Sequence, residues 1–174
     1  MDDPTTWMDH SRQGFSVVEL LTVLTIFVVL ATLALSAFVK WLPDLELGKA
    51  VRGIKADMQL TKSLAIRKAT PLALEFSVLA NNYTIFTDNG VGGGTPGNCL
   101  QDGSEPTLKV VSLPAQVTIA AVNFDGTDRF GFGSRGLPYD SSGGPLDSGR
   151  IELRNTLNHS KTIQVDVVGR ITIP

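Results

Sequence analysis

Glu19 is the residue of this sequence most suited to chemistry, because it is a carboxylate placed inside an otherwise apolar run. The run extends from Phe15 to Val39, and its other polar residues are threonines and serines. Placing such a charge in hydrocarbon costs about 2.5–3.5 kcal/mol, so a partner is expected. If the chain were cut between Gly14 and Phe15, the new α-amine would lie four residues before Glu19. It could neutralise the carboxylate within one chain or between neighbouring copies.

The run from Phe15 to Val39 is long enough to cross a membrane. It contains neither Gly nor Pro, and as a helix it spans roughly 37 Å, against a hydrocarbon core of about 30 Å. A secretory signal would be shorter, and would follow basic residues and end at a small-residue cleavage site. Lys40 and Trp41 follow the run at once and are typical of a membrane interface. The sequence therefore predicts a retained span over residues 15–39.

The N-terminal pattern resembles the signal of type IV prepilins and type II secretion pseudopilins. The resemblance rests on Gly14, then FSVVELL and a long aliphatic stretch. It implies that a prepilin peptidase removes residues 1–14 as a leader and methylates the new amine of Phe15. It also implies that Glu19 pairs with the N-terminus of a neighbouring subunit during filament assembly. A single-pass anchor with an incidental glutamate is the alternative.

Two features depart from the usual pattern of that family. The leader MDDPTTWMDHSRQ has three aspartates against Arg12, so its positive-inside bias is weak. Many major pilins carry a proline near the middle of the apolar helix, whereas residues 34–37 contain none. The sequence therefore predicts a straighter helix than in those pilins.

Residues 40–70 are predicted to continue as an amphipathic helix after a brief interruption at Pro43 and Gly48. An apolar stripe has the 3–4 spacing of one helix face: Leu47, Val51, Ile54, Met58, Thr61 and Ala65. Pro71 is expected to end the helix after Thr70. The other face carries Asp57 and six basic residues: Lys49, Arg52, Lys55, Lys62, Arg67 and Lys68. We interpret this face as solvated, with DNA or lipid headgroups as the alternative contacts.

After Pro71 the apolar period changes to two, and short segments alternate with clusters of Gly, Pro, Asn and Asp. This pattern predicts an antiparallel sheet within residues 71–174. Its segments are 72–78, 83–86, 108–111, 117–119, 129–132, 151–153, 163–167 and 171–173. A tight turn at 168–170 joins the last two. One long helix followed only by strands indicates an α+β fold, with the helix stripe packed on the sheet.

Parts of this body also resemble H-type minor pseudopilins and FimT-like minor pilins. They are the passage from Lys62 to Leu74 and the segments 130–136, 149–153 and 165–171. The resemblance implies a pilin-like fold over most of the chain.

Other groups with chemical potential do not form a motif. Cys99 and His159 are sixty residues apart and match neither a zinc-ligand spacing nor a nucleophile signature, so no metal, cofactor or enzymatic activity is predicted. Three glycines between 92 and 97 match the letters of a dinucleotide-binding motif, but Pro96 interrupts it and no helix follows. Residues 88–106 are therefore interpreted as a mobile surface loop, open to a partner.

The acidic residues of that loop do not match a calcium-binding pattern. Asp88, Asp102 and Glu105 lack the spacing of a calcium-binding loop. We expect no metal site there.

The overall charge argues against general affinity for nucleic acid. The chain has 15 basic and 17 acidic residues, a formal net charge of -2. The candidate nucleic-acid contacts form a local group near the C-terminus with four cations: Arg150, Arg154, Lys161 and Arg170. Glu152 and Asp166 are interleaved with them.

The resemblance implies that the chain is a minor pilin or pseudopilin. Such a subunit is held in the inner membrane and is assembled into a type IV pilus or type II secretion pseudopilus, at the tip in our interpretation. Its C-terminal domain lies in the periplasm or on the extracellular filament. The implied partners are the prepilin peptidase, other pilin subunits, the inner-membrane assembly platform and membrane lipid. The alternative is a DNA-binding minor pilin acting in DNA uptake, and a membrane-anchored enzyme is the third hypothesis.

Overall fold

The computed structural model describes residues 16–174, apart from the side chains of residues 36 and 37. The predicted cleavage site between Gly14 and Phe15 lies outside the described residues. The described chain forms one helix followed by nine strands: α1 (Val17–Lys68), β1 (Leu72–Ser77), β2 (Asn82–Thr87), β3 (Thr107–Ser112), β4 (Val117–Phe124), β5 (Arg129–Phe132), β6 (Pro138–Tyr139), β7 (Ser148–Asn155), β8 (Ser160–Asp166) and β9 (Ile171–Thr172). The α+β class predicted from the sequence is confirmed.

The chain divides into two compact units, Met1–Lys40 and Trp41–Pro174. In the first unit the described residues from Val17 are helical, and their large apolar side chains are exposed. Among the described helices, α1 is the one long and apolar enough to cross a membrane by length and composition, with a mean hydropathy of 2.5 in its most apolar window.

In the second unit, helix α1 passes through Pro43 without a break. The predicted interruption at Pro43 and Gly48 is therefore wrong. Proline fixes φ near the helical value and removes one intrahelical hydrogen bond, so a helix with a well-packed face can continue through it. The predicted stripe forms that face, because all six of its residues are buried: Leu47, Val51, Ile54, Met58, Thr61 and Ala65.

Helix α1 ends one turn before Pro71 in a regular C-cap. The amide of Thr70 donates to the Ala65 carbonyl at 3.2 Å, and the amide of Ala69 donates to the Ile66 carbonyl at 3.2 Å. Ala69 has a φ of 49°. This pair of bonds with a left-handed residue between helix and strand is the Schellman arrangement, which turns the chain directly into β1.

The strands form two antiparallel sheets, whereas the sequence predicted one. The first has the order β3-β2-β1-β5-β6 and the second has the order β4-β7-β8-β9. Period-two alternation shows which residues face the core, but it does not show which strands pair. The sequence therefore does not reveal that the strands divide into two sheets. The predicted turn at 168–170 is confirmed, since the Gly169 amide donates to the Asp166 carbonyl at 2.8 Å with a φ of 72° at Gly169.

The core lies between the helix stripe and the inner faces of both sheets. A row of aromatic rings joins the sheets through Phe124 of β4. Its ring centroid is 5.8 Å from that of Phe76 and 4.2 Å from that of Phe130, both in the first sheet. Gly149 pairs with Phe124 across β4 and β7, and a Cβ added at Gly149 would collide with the Phe124 ring. The glycine thus provides the space that the ring occupies.

Asp57 is buried against the sheet, which corrects its assignment to the solvated helix face. Its carboxylate accepts a hydrogen bond from the Tyr83 hydroxyl at 2.6 Å and lies 2.7 Å from the Lys109 ammonium. Burial is the main cause that raises the pKa of Tyr83, and the hydrogen bond to Asp57 is the second. Tyr83 therefore stays protonated and donates, fixing the helix against β2 and β3.

We predict that Asp57→Ala lowers the free energy of unfolding of the Trp41–Pro174 unit by about 1–3 kcal/mol, because it leaves a buried hydroxyl without an acceptor. Adding Tyr83→Phe should recover part of this loss, since both polar groups are then gone. Lys109→Met is the matched control with a smaller effect, because the remaining Asp57 carboxylate keeps the Tyr83 hydroxyl and water can enter where the lysine, which is 47% exposed, had been. Urea unfolding measures all three. Equal midpoints for Asp57→Ala and the unsubstituted unit would contradict the prediction.

Candidate assembly site

Glu19 lies in the first turn of helix α1, where Ser16 caps the helix. The Ser16 hydroxyl accepts a hydrogen bond from the Val18 amide at 3.3 Å, and the Ser16 carbonyl accepts one from the Leu20 amide at 3.1 Å. A serine followed three residues later by glutamate is the sequence pattern of a capping box. The positive end of the helix dipole also favours a carboxylate there. The start of the helix thus gives Glu19 a defined position.

Glu19 is exposed, and the residues described provide no ion-pair partner for it. The amine that the sequence assigns to it belongs to Phe15, which lies outside the described residues together with Gly14. Cleavage, methylation and the pairing of Glu19 therefore stay predictions. The observed geometry leaves the carboxylate free to meet a group from outside residues 16–174.

The hydroxyl groups of the apolar run are already satisfied. Thr22, Thr25 and Thr32 each donate to a carbonyl of the preceding turn at 2.8 Å. Such internal bonds remove the need for external partners in an apolar medium. Within the described side chains of residues 17–39, Glu19 is thus the polar group still in need of a partner.

The loop of residues 88–106 is organised by carboxylates that accept backbone amides. Asp88 is fully buried and accepts the Gly97 and Cys99 amides at 2.8 and 2.9 Å, and the Tyr139 hydroxyl at 2.7 Å. Glu105 accepts the Gly90 amide at 2.7 Å, and Asp102 accepts the Thr95 amide at 3.2 Å. The prediction of a mobile surface loop missed this anchoring, because acids that bind their own loop have no fixed spacing. The described residues contain no His, Cys, Asp and Glu group suited to a metal ion.

Cys99 belongs to this loop, but its side chain is buried. It packs with Ala73, Phe86 and Tyr139 on the outer face of the first sheet. Burial, followed by the negative charge of Asp88, raises the pKa of the Cys99 thiol. Thiolate is the reactive form, so the geometry indicates a structural thiol.

We predict that Cys99 in the folded protein reacts only slowly with a thiol reagent such as Ellman's reagent, and reacts fully in denaturant. The matched control is Leu79→Cys, which places a second thiol at an exposed turn and should react at once. Fast modification of the native protein without that substitution would show that the loop opens.

The four cations proposed as DNA contacts do not form one patch. Arg150 and Arg154 lie 3.3 and 3.4 Å from Glu152 between them. Lys161 is in register with Leu153, whose side chain faces the core. Paired residues share a face of the sheet, so Lys161 lies on the opposite face from Arg150 and Arg154. Arg170 is 3.4 Å from Asp166. Nothing in this arrangement supports the DNA-binding alternative.

His159 lies in a turn, as the sequence indicated, but it has a partner that the sequence did not reveal. Its Nδ1 is 2.7 Å from the Asp44 carboxylate. The same carboxylate oxygen accepts the side-chain amide of Asn155 at 2.7 Å. The hydrogen bond to His159 is the main cause that lowers the pKa of Asp44. The two ends of this contact are 115 residues apart, so no local pattern could have shown it.

Structural comparison shows a pilin-like fold. The minor pseudopilin EpsH of the type II secretion system of Vibrio cholerae has a TM-score of 0.54 at 8% identity, covering 74% of this chain and 95% of that chain. The type IV minor pilin FimU of Pseudomonas aeruginosa has a TM-score of 0.51 at 15% identity, covering 74% and 88%. At such identities the likeness extends to the fold alone. The comparison with curated proteins gives no match.

Sequence comparison with protein families gives two matches. Residues 9–35 match the prokaryotic N-terminal methylation motif, which includes Gly14, Phe15 and Glu19. Residues 50–169 match the family described as type II transport protein GspH, and this range takes in most of the helix–sheet unit. The chain therefore belongs to the GspH family, a family of minor pseudopilins and minor pilins.

Proposed function

We propose that this protein is a filament subunit whose assembly is driven by neutralising Glu19. A prepilin peptidase cuts between Gly14 and Phe15 and methylates the new amine. Glu19 then becomes the fifth residue of the mature chain and pairs with the amine of a neighbouring subunit. The observation that carries the proposal is a carboxylate without a partner in an apolar helix whose other described polar side chains are satisfied.

The proposed setting follows from the same helix. Residues 15–39 anchor the subunit in the inner membrane, and the C-terminal domain lies in the periplasm or on the filament. Other pilin subunits and the inner-membrane assembly platform are its partners, and a position at the tip is part of the proposal. The family consists of structural subunits, and we assign this chain a structural rather than an enzymatic role.

The first test is intact-mass spectrometry with N-terminal sequencing of the protein isolated from its native membrane. We expect a chain that starts at Phe15 and is heavier by one methyl group. Gly14→Glu is the matched variant, in which cleavage should fail because a large charged residue replaces the small one before the cut. A native chain that is uncut, or cut elsewhere, would leave a plain anchored domain and overturn the proposal.

A further inference from the structure

Three turns of the second unit meet in one place and expose apolar side chains. We call them the turn cluster: residues 78–81 between β1 and β2, 113–116 between β3 and β4, and 156–159 between β7 and β8. Their sequences are VLAN, LPAQ and TLNH, without an acidic residue. Leu79 is 99% exposed and Leu157 is 42% exposed.

Hydrogen bonds hold the turn cluster together. The Leu113 amide donates to the Asn81 carbonyl at 3.0 Å, and the Asn81 side chain donates to the Val117 carbonyl at 2.8 Å. The Thr156 amide donates to the Gln116 carbonyl at 3.1 Å. Because each turn is bonded to the next, the cluster is a preformed surface rather than three independent loops.

The turn cluster is fastened to helix α1 close to the end of the apolar run. Asp44 binds Asn155 and His159, each at 2.7 Å. Asp44 is five positions after Val39, a rise of about 7.5 Å along a helix. The headgroup zone on each side of a bilayer is about 5–7 Å thick. With Val39 at the edge of the hydrocarbon, as in the anchoring proposed above, the short connection allows Asp44 to lie at the outer boundary of the headgroups.

The chemistry of this surface fits a lipid interface. Trp41 is exposed and belongs to the residue types that anchor proteins at that depth. Leu79 and Leu157 can insert among headgroups, and the exposed Lys161 next to the 156–159 turn can approach a lipid phosphate. The three turns contribute no acid of their own, and the Asp44 carboxylate beside them is engaged by Asn155 and His159.

We propose that the turn cluster rests on the bilayer that holds the subunit before assembly, with Leu79 and Leu157 among the lipid headgroups. This inference rests on the anchoring of residues 15–39 proposed above. The contact fixes the orientation of the domain in the membrane and is given up when the subunit is drawn out into a filament.

The test places an environment-sensitive fluorophore in the full-length chain, reconstituted at one copy per lipid nanodisc. The label is attached at Leu79→Cys or Leu157→Cys in a Cys99→Ala background. Val168→Cys is the matched control: it lies in the exposed turn between β8 and β9 and is 61% exposed. The carbonyl of Val168 contacts Lys62, which is about 31 Å further along the helix than Trp41. We expect blue-shifted emission at 79 and 157, and quenching by headgroup-spin-labelled lipid several-fold stronger than at 168.

Equal quenching at all three positions would overturn the proposal. A shift that appears only in vesicles carrying many copies, and not in single-copy nanodiscs, would assign the surface to a neighbouring subunit and overturn it as well. A chain that fails to float with lipid at all would refute the anchoring itself. The mass and N-terminal sequence of the native protein are measured independently, so failure of the lipid contact and failure of the subunit function are distinguishable.

Discussion

Glu19→Val is expected to insert into the membrane normally and to be almost absent from filaments. The substitution leaves the α-ammonium of a neighbouring subunit without a counter-charge in an apolar medium. Removing one partner of a buried ion pair costs about 3–5 kcal/mol, which is more than about 100-fold in an equilibrium constant. The measurement is the fraction of the subunit recovered in sheared filaments relative to the fraction remaining in membranes, by quantitative immunoblotting.

Two further variants separate charge from shape. Glu19→Gln retains the size of the side chain and should fail as Glu19→Val does, because the missing element is charge. Thr22→Val, one turn further along the same helix, should assemble normally, because the threonine hydroxyl is bonded to the Val18 carbonyl of its own chain at 2.8 Å. Normal incorporation of Glu19→Gln would refute a role for the charge and leave Glu19 as a helix-capping residue.

The sequence predicted those features of the fold that depend on local periodicity. The stripe from Leu47 to Ala65 was visible because its spacing of three and four residues is enforced by helix geometry, and all of its members are buried. The strands were visible because side chains alternate across a sheet. The two-residue strand Pro138–Tyr139 was missed, since it is too short to carry a period.

Polar residues that act over long range could not be predicted in the same way. Asp57 lay among helix lysines and looked solvated, yet its partners Tyr83 and Lys109 are 26 and 52 residues away. Lys62 was placed on the solvated face, whereas it donates to the Gly169 carbonyl at 2.9 Å. Burial of a charge depends on which strand lies opposite, and a single sequence does not contain that information.

The candidate site was predicted for a physical reason that is independent of tertiary structure. A carboxylate in an apolar run indicates a functional site, because the free-energy cost of inserting it into a membrane has to be compensated by a partner group. The described residues refine this picture, since none of them forms an ion pair with Glu19. The counter-charge that our proposal assigns to Glu19 therefore comes from outside residues 16–174, as the amine created by processing.

Phe124→Ala is expected to give the largest loss of stability in the helix–sheet unit. The fully buried ring stacks on Phe130 with centroids 4.2 Å apart and links the two sheets. Truncating a buried phenylalanine costs about 3–5 kcal/mol through lost transfer energy and the cavity left behind. This approaches the whole stability of many domains. Urea unfolding of the Trp41–Pro174 unit, followed by circular dichroism, measures the effect.

A double-mutant cycle with Gly149 tests whether the ring and the glycine form one packing device. Gly149→Ala alone should cost about 1–3 kcal/mol, because its Cβ meets the Phe124 ring. In the Phe124→Ala background the same change should cost little, since the ring is gone, so the two effects should fail to add by about 1 kcal/mol or more. Gly53→Ala is the matched control: no atom lies within 4 Å of its added Cβ, and it should stabilise helix α1 by up to about 1 kcal/mol. Simple additivity of the two substitutions would mean that the β7 backbone moves aside for the methyl group, and that Gly149 is not what admits the ring between the sheets.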